Sequence, residues 1–168
     1  MPAGKLVMRT ALLETRAPRL YVPVMETAHL HRGRLIDHVH LVVKDLAASR
    51  RFYLAVFDVL GIPLGGENEA GGFFWADELF ISKADSVAAA GKLTGRVHLA
   101  FQAPDRATVD RFHPAAIAAG GTDNGAPGAR PYHPGYYAAF VLDPDGNNIE
   151  VVNHGPANRS VPSVQITF

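Results

Sequence analysis

Residues 35–61 read LIDHVHLVVKDLAASRRFYLAVFDVLG, and the stretch returns in altered form at residues 97–121, VHLAFQAPDRATVDRFHPAAIAAGG. His38 corresponds to His98, which is an offset of 60 residues. The other matches at this offset are Asp45 with Asp105, Arg51 with Arg111, Phe52 with Phe112, and Gly61 with Gly121. Each stretch reads as a strand, a helix and a terminating glycine, which predicts two copies of one small module with a cavity between them.

The strand of each repeat alternates in side-chain character. Its apolar positions are Val39, Leu41 and Val43 in the first repeat and Val97, Leu99 and Phe101 in the second. The other positions include His38 and His40 in the first repeat, and His98 and Gln102 in the second. Successive side chains of a strand point to opposite faces. We therefore expect a helix to cover the apolar face, and the imidazoles to lie on the other face.

A helix is predicted after each strand. Asp45 and Asp105 suit the N-cap position. Gly61 is expected to end the first helix, and Gly120–Gly121 the second. The apolar stripes expected to face the sheets are Leu46, Phe52, Val56, Val59 and Leu60 in the first helix, and Val109, Phe112 and Ile117 in the second.

The remaining strands are predicted from shorter signals. They are expected at residues 73–75 and 79–82 in the first repeat, and at 136–142 and 148–152 in the second. Asp143–Gly146 predicts a tight turn before the last strand, because proline suits the second position of a type I turn and glycine suits the left-handed position that follows. Residues 65–72 and 123–135 are interpreted as loops, since both are rich in glycine or proline.

The composition excludes several classes of partner. The 168 residues carry 16 basic and 16 acidic side chains, so no charge excess favours nucleic acid or an anionic membrane. No run approaches the ~20 apolar residues of a membrane span. We therefore expect a small-molecule partner and a cytoplasmic protein. The chain has no cysteine, so a metal would need histidine and carboxylate ligands.

The domain organisation follows from the limits of the repeat. Residues 1–34 contain scattered prolines and no steady period, and are interpreted as an N-terminal extension. The duplicated domain is expected at residues 35–154, with modules at about 35–90 and 96–154. Residues 155–168 are interpreted as a C-terminal tail.

Three polar residues stand out on the strand faces opposite the helices. His38, His98 and Glu150 are expected to face a common concavity if the helices cover the other side of a curved sheet. Two imidazoles and one carboxylate form the ligand set of an open divalent-metal site. A lone strand histidine is more often structural, but equivalent placement in both repeats favours ligation. His40 has Ala100 at its repeat position and is interpreted as pocket lining.

Three stretches resemble the vicinal oxygen chelate superfamily, which contains glyoxalases, bleomycin-resistance proteins and extradiol dioxygenases. They are residues 36–53, residues 97–101 and FVLDPDGNNIE at residues 140–150. The resemblance implies an α+β fold in which two βαβββ modules form an open eight-stranded cup with helices on the outer face. It also implies that His38, His98 and Glu150 are the metal ligands and that the protein is a homodimer.

Departures from the family pattern bear on the reaction. Glyoxalase I adds a fourth ligand, a glutamate on a strand of the first module. Residues 79–84 offer no inward-facing carboxylate, and Glu78 and Asp85 lie at the ends of that strand. Extradiol dioxygenases place a tyrosine ten residues before the ligand glutamate, where this chain has Phe140. Tyr136 lies on the same strand face and is the candidate to replace it.

The sequence thus predicts a metal-dependent lyase or dioxygenase of the glyoxalase type. One divalent ion (Fe, Mn, Ni, Zn or Co) is expected to chelate two neighbouring oxygens of a small substrate. The candidate catalytic residues are Glu150, Tyr136 and His133, and the candidate substrate-binding residues are His40, Trp75, Gln102 and Phe140. The alternative is a non-catalytic protein of the bleomycin-resistance type, which binds a drug or metabolite through aromatic side chains.

Overall fold

The chain folds into two copies of one strand–helix–three-strand unit. The computed structural model describes residues 29–32, 36–86, 89, 91–156 and 164–167. The helices are α1 (Leu46–Leu60) and α2 (Arg106–Ala118). The strands are β1 (His29–Arg32), β2 (Val39–Val43), β3 (Gly66–Asn68), β4 (Phe73–Ala76), β5 (Leu79–Lys83), β6 (His98–Gln102), β7 (Thr122–Ala129), β8 (Tyr137–Leu142), β9 (Asn148–Asn153) and β10 (Val164–Thr167). Most of the predicted N-terminal extension lies outside the described residues.

Each unit forms its own four-stranded sheet. The strand orders are β2-β5-β4-β3 and β6-β9-β8-β7, and β1 pairs with β10 in a separate ladder. In both sheets the first strand runs parallel to the last strand of its unit, and the other pairs are antiparallel. The sheets are not closed into a barrel, so the predicted α+β architecture of two βαβββ modules with an open sheet surface is confirmed.

The helices begin where the sequence predicts. The Asp45 side chain accepts a hydrogen bond from the Ala48 N–H, and Asp105 accepts one from the Thr108 N–H. Gly61 takes up the left-handed conformation at the end of α1, with φ 71°. No helix in the described part of the chain is long and apolar enough to cross a membrane.

A single hydrophobic core lies between the helices and one face of each sheet. Its largest fully buried side chains include Phe52, Tyr53, Phe57, Phe74, Phe112, Leu41, Ile81 and Ile149. Phe57 of α1 meets Phe101 of β6 edge-on, with ring centroids 6.3 Å apart, so α1 packs against both units. The helices thereby cover the sheet faces opposite the strand histidines.

Three predictions of local structure are wrong. Ile117 is 37% exposed, and Ala116 is the residue of that turn that packs into the core. Strands β3 and β7 form within or across the segments 65–72 and 123–135, which the sequence suggested were loops. Strand β3 forms because it pairs with β4. The pairing of β7 with β8 is irregular between Asp123 and Gly125 and again between Gly125 and Gly128. Because β7 is an edge strand with irregular pairing, it tolerates its proline and glycines.

A buried polar network ties the β8–β9 turn to the first unit. Tyr53 of α1 donates its hydroxyl hydrogen to Asp143 Oδ2 at 2.8 Å. The same carboxylate accepts hydrogen bonds from the backbone N–H groups of Asp145 and Asn147 and from the Asn147 side chain. Asn147 Oδ1 in turn accepts from the Val97 N–H, next to the start of β6. The predicted turn therefore joins the two units and sets the start of β9.

Gly121 allows close packing between the units. A Cβ atom at this position would lie 2.5 Å from Val141 Cγ1 and 2.7 Å from Phe52 Cε2. We expect Gly121→Ala to lower the free energy of unfolding by ~1–3 kcal/mol, because both neighbours are core side chains that must shift. Urea denaturation measures this. Gly95→Ala is the control, since its Cβ would meet no atom within 4 Å. Equal midpoints for the two variants would contradict the expectation.

Candidate functional site

The second sheet holds a buried carboxylate between a histidine and a tyrosine. The side chain of Glu150 in β9 is 4% exposed, and that of His98 in β6 is 53% exposed. Because β6 and β9 are neighbouring parallel strands, His98 Nε2 lies 2.9 Å from Glu150 Oε2. The Tyr136 hydroxyl donates to the other carboxylate oxygen, Oε1, at 2.6 Å. Three of the sequence-predicted site residues are thus brought into one cluster.

Tyr136 keeps its proton at neutral pH. Burial, followed by the hydrogen bond to Glu150, raises the pKa of Tyr136 to about 12. The phenol is therefore a hydrogen-bond donor to the carboxylate. Its ring packs edge-on against His133 and His154, with centroid separations of 5.1 and 5.2 Å. These contacts fix the Tyr136 ring immediately before the start of β8.

His133 lies beside this cluster without a hydrogen bond to Glu150. Its Nδ1–H donates to the carbonyl oxygen of Pro134 at 2.9 Å, and its Nε2 lies 3.0 Å from His154 Nδ1. The two imidazoles are stacked, with an interplanar angle of 19°. His154, to which the sequence assigned no role, is therefore the partner of His133.

An aromatic side chain and an arginine continue the same face of the second sheet. Phe140 is the cross-strand partner of Glu150, and its ring meets His98 edge-on at 6.1 Å. The Arg130 guanidinium carbon lies 5.0 Å from the centroid of the Phe140 ring. Gln102 is exposed on this face at the far end of β6. Arg130 has no local sequence signal, since its position depends on the pairing of β7 with β8.

The first sheet presents its two histidines separately from Glu150. His38 precedes β2, has a side chain that is 59% exposed, and holds Asp37 Oδ1 2.7 Å from its Nδ1. His40 Nε2 lies 2.8 Å from Ser82 Oγ on the neighbouring strand β5. Burial, and secondarily the nearby His38, lowers the pKa of His40. Asp37 and Ser82 were not identified from the sequence.

A half-buried aromatic surface adjoins His40. Phe80 stacks on Trp75 with an interplanar angle of 17° and lies 5.1 Å from Phe73, centroid to centroid. The edge of the His40 ring meets Phe80 at 4.9 Å. This surface offers a flat, apolar contact area with one imidazole at its margin.

The described part of one chain does not assemble the three predicted ligands. It contains no group of three or more His, Cys, Asp or Glu side chains that could hold a metal ion. His98 and Glu150 lie together on the second sheet, whereas His38 belongs to the first. On β5, the positions on the histidine face are Phe80 and Ser82, so that strand supplies no fourth carboxylate.

The chain is similar to proteins of one known family. The family model described as Glyoxalase/Bleomycin resistance protein/Dioxygenase superfamily matches residues 35–151. No curated protein matches the chain.

Several solved structures are similar, among them the following three. A glyoxalase/bleomycin resistance protein from Albidiferax ferrireducens T118 is 32% identical, with 68% of this chain and 94% of that chain covered and a TM-score of 0.54. A glyoxalase/bleomycin resistance protein/dioxygenase family enzyme from Burkholderia phytofirmans PsJN is 27% identical, with 69% and 95% covered and a TM-score of 0.53. A lactoylglutathione lyase from Agrobacterium tumefaciens shares the fold at 24% identity, with 71% and 93% covered and a TM-score of 0.53. The chain belongs to the glyoxalase/bleomycin resistance protein/dioxygenase superfamily.

Proposed function

We propose that the protein is a metal-dependent enzyme that acts on a small molecule with two adjacent oxygen atoms. His98 and Glu150 of one chain, with His38 of a second chain, are the proposed ligands of a divalent ion. The observation that carries the proposal is the placement of His98 Nε2 2.9 Å from Glu150 Oε2.

This separation fits two ligands of one metal ion. Two atoms that bind the same ion at ~2.1 Å and at right angles lie about 3.0 Å apart. A buried carboxylate beside an imidazole also has the donor chemistry that Fe, Mn, Ni, Zn and Co accept. Tyr136 supports the site by donating to the second oxygen of Glu150, which fixes the orientation of the carboxylate.

His38 has the surroundings of a ligand, although the described residues of its own chain form no group of three ligands around it. Ligating histidines commonly hydrogen-bond a carboxylate through the ring nitrogen that does not bind the metal. Asp37 occupies that place at His38 Nδ1, at 2.7 Å. Because Asp37 contacts Nδ1 of His38, the other ring nitrogen, Nε2, is the atom proposed to bind the metal ion.

A homodimer supplies the missing ligand. The His98–Glu150 pair lies on the second sheet, and the exposed His38 directly precedes strand β2 of the first sheet. Two copies can therefore bring the first sheet of one chain to the second sheet of the other. Ile36, two residues before His38, is 54% exposed. An apolar side chain with this much exposed surface suits burial against a partner chain. The proposed assembly is a symmetric dimer with two equivalent sites.

At such a site the metal ion and the side chains of the protein would have different chemical roles. A bound divalent ion would act as a Lewis acid toward the substrate oxygens. Tyr136 holds a proton at its hydroxyl beside Glu150, and His133 packs against the Tyr136 ring. His40, Trp75, Gln102 and Phe140 are the proposed substrate contacts, which exclude water and orient the substrate.

A second candidate function rests on the aromatic surface of the first sheet. Stacked Trp75 and Phe80, with Phe73 beside them, favour binding of a flat molecule even without a metal. A non-catalytic protein that binds a drug or metabolite would need this surface and not the His98–Glu150 pair.

Metal analysis distinguishes the two functions. We expect the purified dimer to hold about one divalent ion per chain, and His98→Ala and Glu150→Gln to weaken binding by more than ~100-fold, because each removes a direct ligand. Glu150→Gln keeps an acceptor for Tyr136. Elemental analysis and competition with a chelator give the stoichiometry and affinity. His113→Gln is the control, since His113 contacts Asp123 at 2.8 Å, away from the pair. Equal metal content in all four proteins would favour the binding function.

A further inference from the structure

Arg130 has an uncompensated charge beside the proposed site. Its Nη2 atom donates to the backbone carbonyl oxygens of Ala126 at 2.6 Å and Ala138 at 3.2 Å. Within the described residues it forms no ion pair with a carboxylate. Its Nε atom is buried without a hydrogen-bond partner, a condition shared only with Ser49 Oγ among the described side chains. A guanidinium in this state is expected to gain from an anionic partner.

The backbone of strand β7 is irregular close to Arg130. Gly125 has φ 149°, and the pairing of β7 with β8 shifts on both sides of it. A Cβ atom at Gly125 would lie 3.1 Å from Phe140 Cδ2 and 3.4 Å from Arg130 Nη2. The bulged, glycine-containing strand therefore leaves room for the guanidinium to lie on the Phe140 ring.

The Phe140 side chain lies between Arg130 and the pair formed by His98 and Glu150. Phe140 carries the guanidinium at 5.0 Å, meets His98 edge-on at 6.1 Å, and is the cross-strand partner of Glu150. A small molecule seated over Phe140 can thus reach His98 and Glu150 with one end and Arg130 with the other.

We propose that Arg130 binds a carboxylate group of the substrate. This inference rests on the proposed function for the location of the reacting oxygens, and it adds that the substrate is an anionic molecule whose carboxylate lies close to its vicinal oxygens. Phe140 forms the platform between the two ends. A carboxylate can accept hydrogen bonds from the N–H groups of the planar guanidinium that have no acceptor in the protein. Burial beside an aromatic ring strengthens such a carboxylate–guanidinium pair.

Two probes of the same shape test the charge requirement. 2-Hydroxybenzoate carries a carboxylate next to a hydroxyl group on a flat ring, and 2-hydroxybenzamide replaces the carboxylate with a neutral amide. Isothermal titration of the full-length protein, once metal-loaded and once after treatment with a chelator, measures both affinities. We expect wild type to prefer the carboxylate by roughly 10–100-fold, because a charged hydrogen bond to a half-buried guanidinium is lost with the amide.

Variants assign the preference to the residue. Arg130→Gln should abolish most of the preference, and Arg130→Lys should retain part of it. Arg50→Gln should keep it in full, since Arg50 pairs with Glu67 on the other sheet. The Nε–H resonance that disappears in Arg130→Gln should shift when wild type is titrated with 2-hydroxybenzoate, which an arginine with a purely structural role would not show.

The results separate this inference from the proposed metal function. A carboxylate preference that persists after metal removal and disappears in Arg130→Gln supports the role of Arg130 even if metal analysis fails. Equal affinity for both probes, binding of neither, or an unchanged preference in Arg130→Gln would overturn the assignment, whatever the metal content.

Discussion

Chains that carry His38→Ala, mixed with chains that carry His98→Ala, are expected to recover metal binding that neither variant has alone. In the proposed dimer each site takes His38 from one chain and the His98–Glu150 pair from the other. A mixed dimer therefore contains one intact site, with His38 supplied by the His98→Ala chain, and one site that lacks both histidines. Purified through two different affinity tags, it should hold about one ion per dimer, against about two in wild type.

Controls separate this result from recovery of folding. A mixed dimer of wild type with the His38→Ala, His98→Ala double variant should bind little metal, because each of its sites lacks one histidine. The separate homodimers of the two single variants should also bind little. Metal binding by the His38→Ala homodimer at the wild-type level would show that His38 is not a ligand. A monomer in light scattering, with metal bound, would contradict the shared site.

The residues that face the site could be predicted from the sequence because strand periodicity determines them. Alternation placed His98 and Glu150 on one face, and the parallel pairing of β6 with β9 then brings them together. The caps at Asp45 and Asp105 were predictable for a similar reason, since capping depends on a few adjacent residues.

Features that depend on tertiary packing were not predictable. The strand β7 contains Pro127 and two glycines, a composition typical of loops, and only its edge position beside β8 makes it a strand. The relation of His38 to Glu150 depends on how the two units pack, which local periodicity does not specify. Tyr136 was a candidate replacement for the tyrosine absent at Phe140, and its hydrogen bond to Glu150 depends on the fold of the preceding loop.

The buried contact between Tyr53 and Asp143 is expected to be among the largest single contributions to stability. Asp143 accepts four hydrogen bonds from neighbours that are themselves buried or half-buried. Asp143→Ala should lower the free energy of unfolding by ~3–5 kcal/mol, because the tyrosine hydroxyl and the turn N–H groups lose their acceptor. Tyr53→Phe should cost ~1.5–3 kcal/mol, since Asn147 still donates to the carboxylate. Urea denaturation at neutral pH measures both.

A double-mutant cycle and a surface control sharpen the test. The Tyr53→Phe, Asp143→Ala double variant should be less destabilised than the sum of the single variants, by ~1–3 kcal/mol, because the two side chains share one hydrogen bond. Tyr137→Phe removes a comparable tyrosine–aspartate hydrogen bond, to Asp110 at 2.7 Å, in an exposed setting. Its effect should stay below ~1 kcal/mol. Additive effects of Tyr53→Phe and Asp143→Ala would contradict the proposed coupling.

The same contact should limit stability at high pH. Burial, and secondarily the charge of Asp143, raises the pKa of Tyr53 well above its ordinary value. The folded state therefore holds the phenol proton more tightly than the unfolded state, so its contribution is complete below the unfolded pKa of about 10 and is lost as the pH rises above it. Wild type should lose stability above pH ~10 more steeply than Tyr53→Phe, whose buried ring has no proton to release. Parallel stability curves for the two proteins between pH 9 and 11 would show that folding does not raise the pKa of Tyr53.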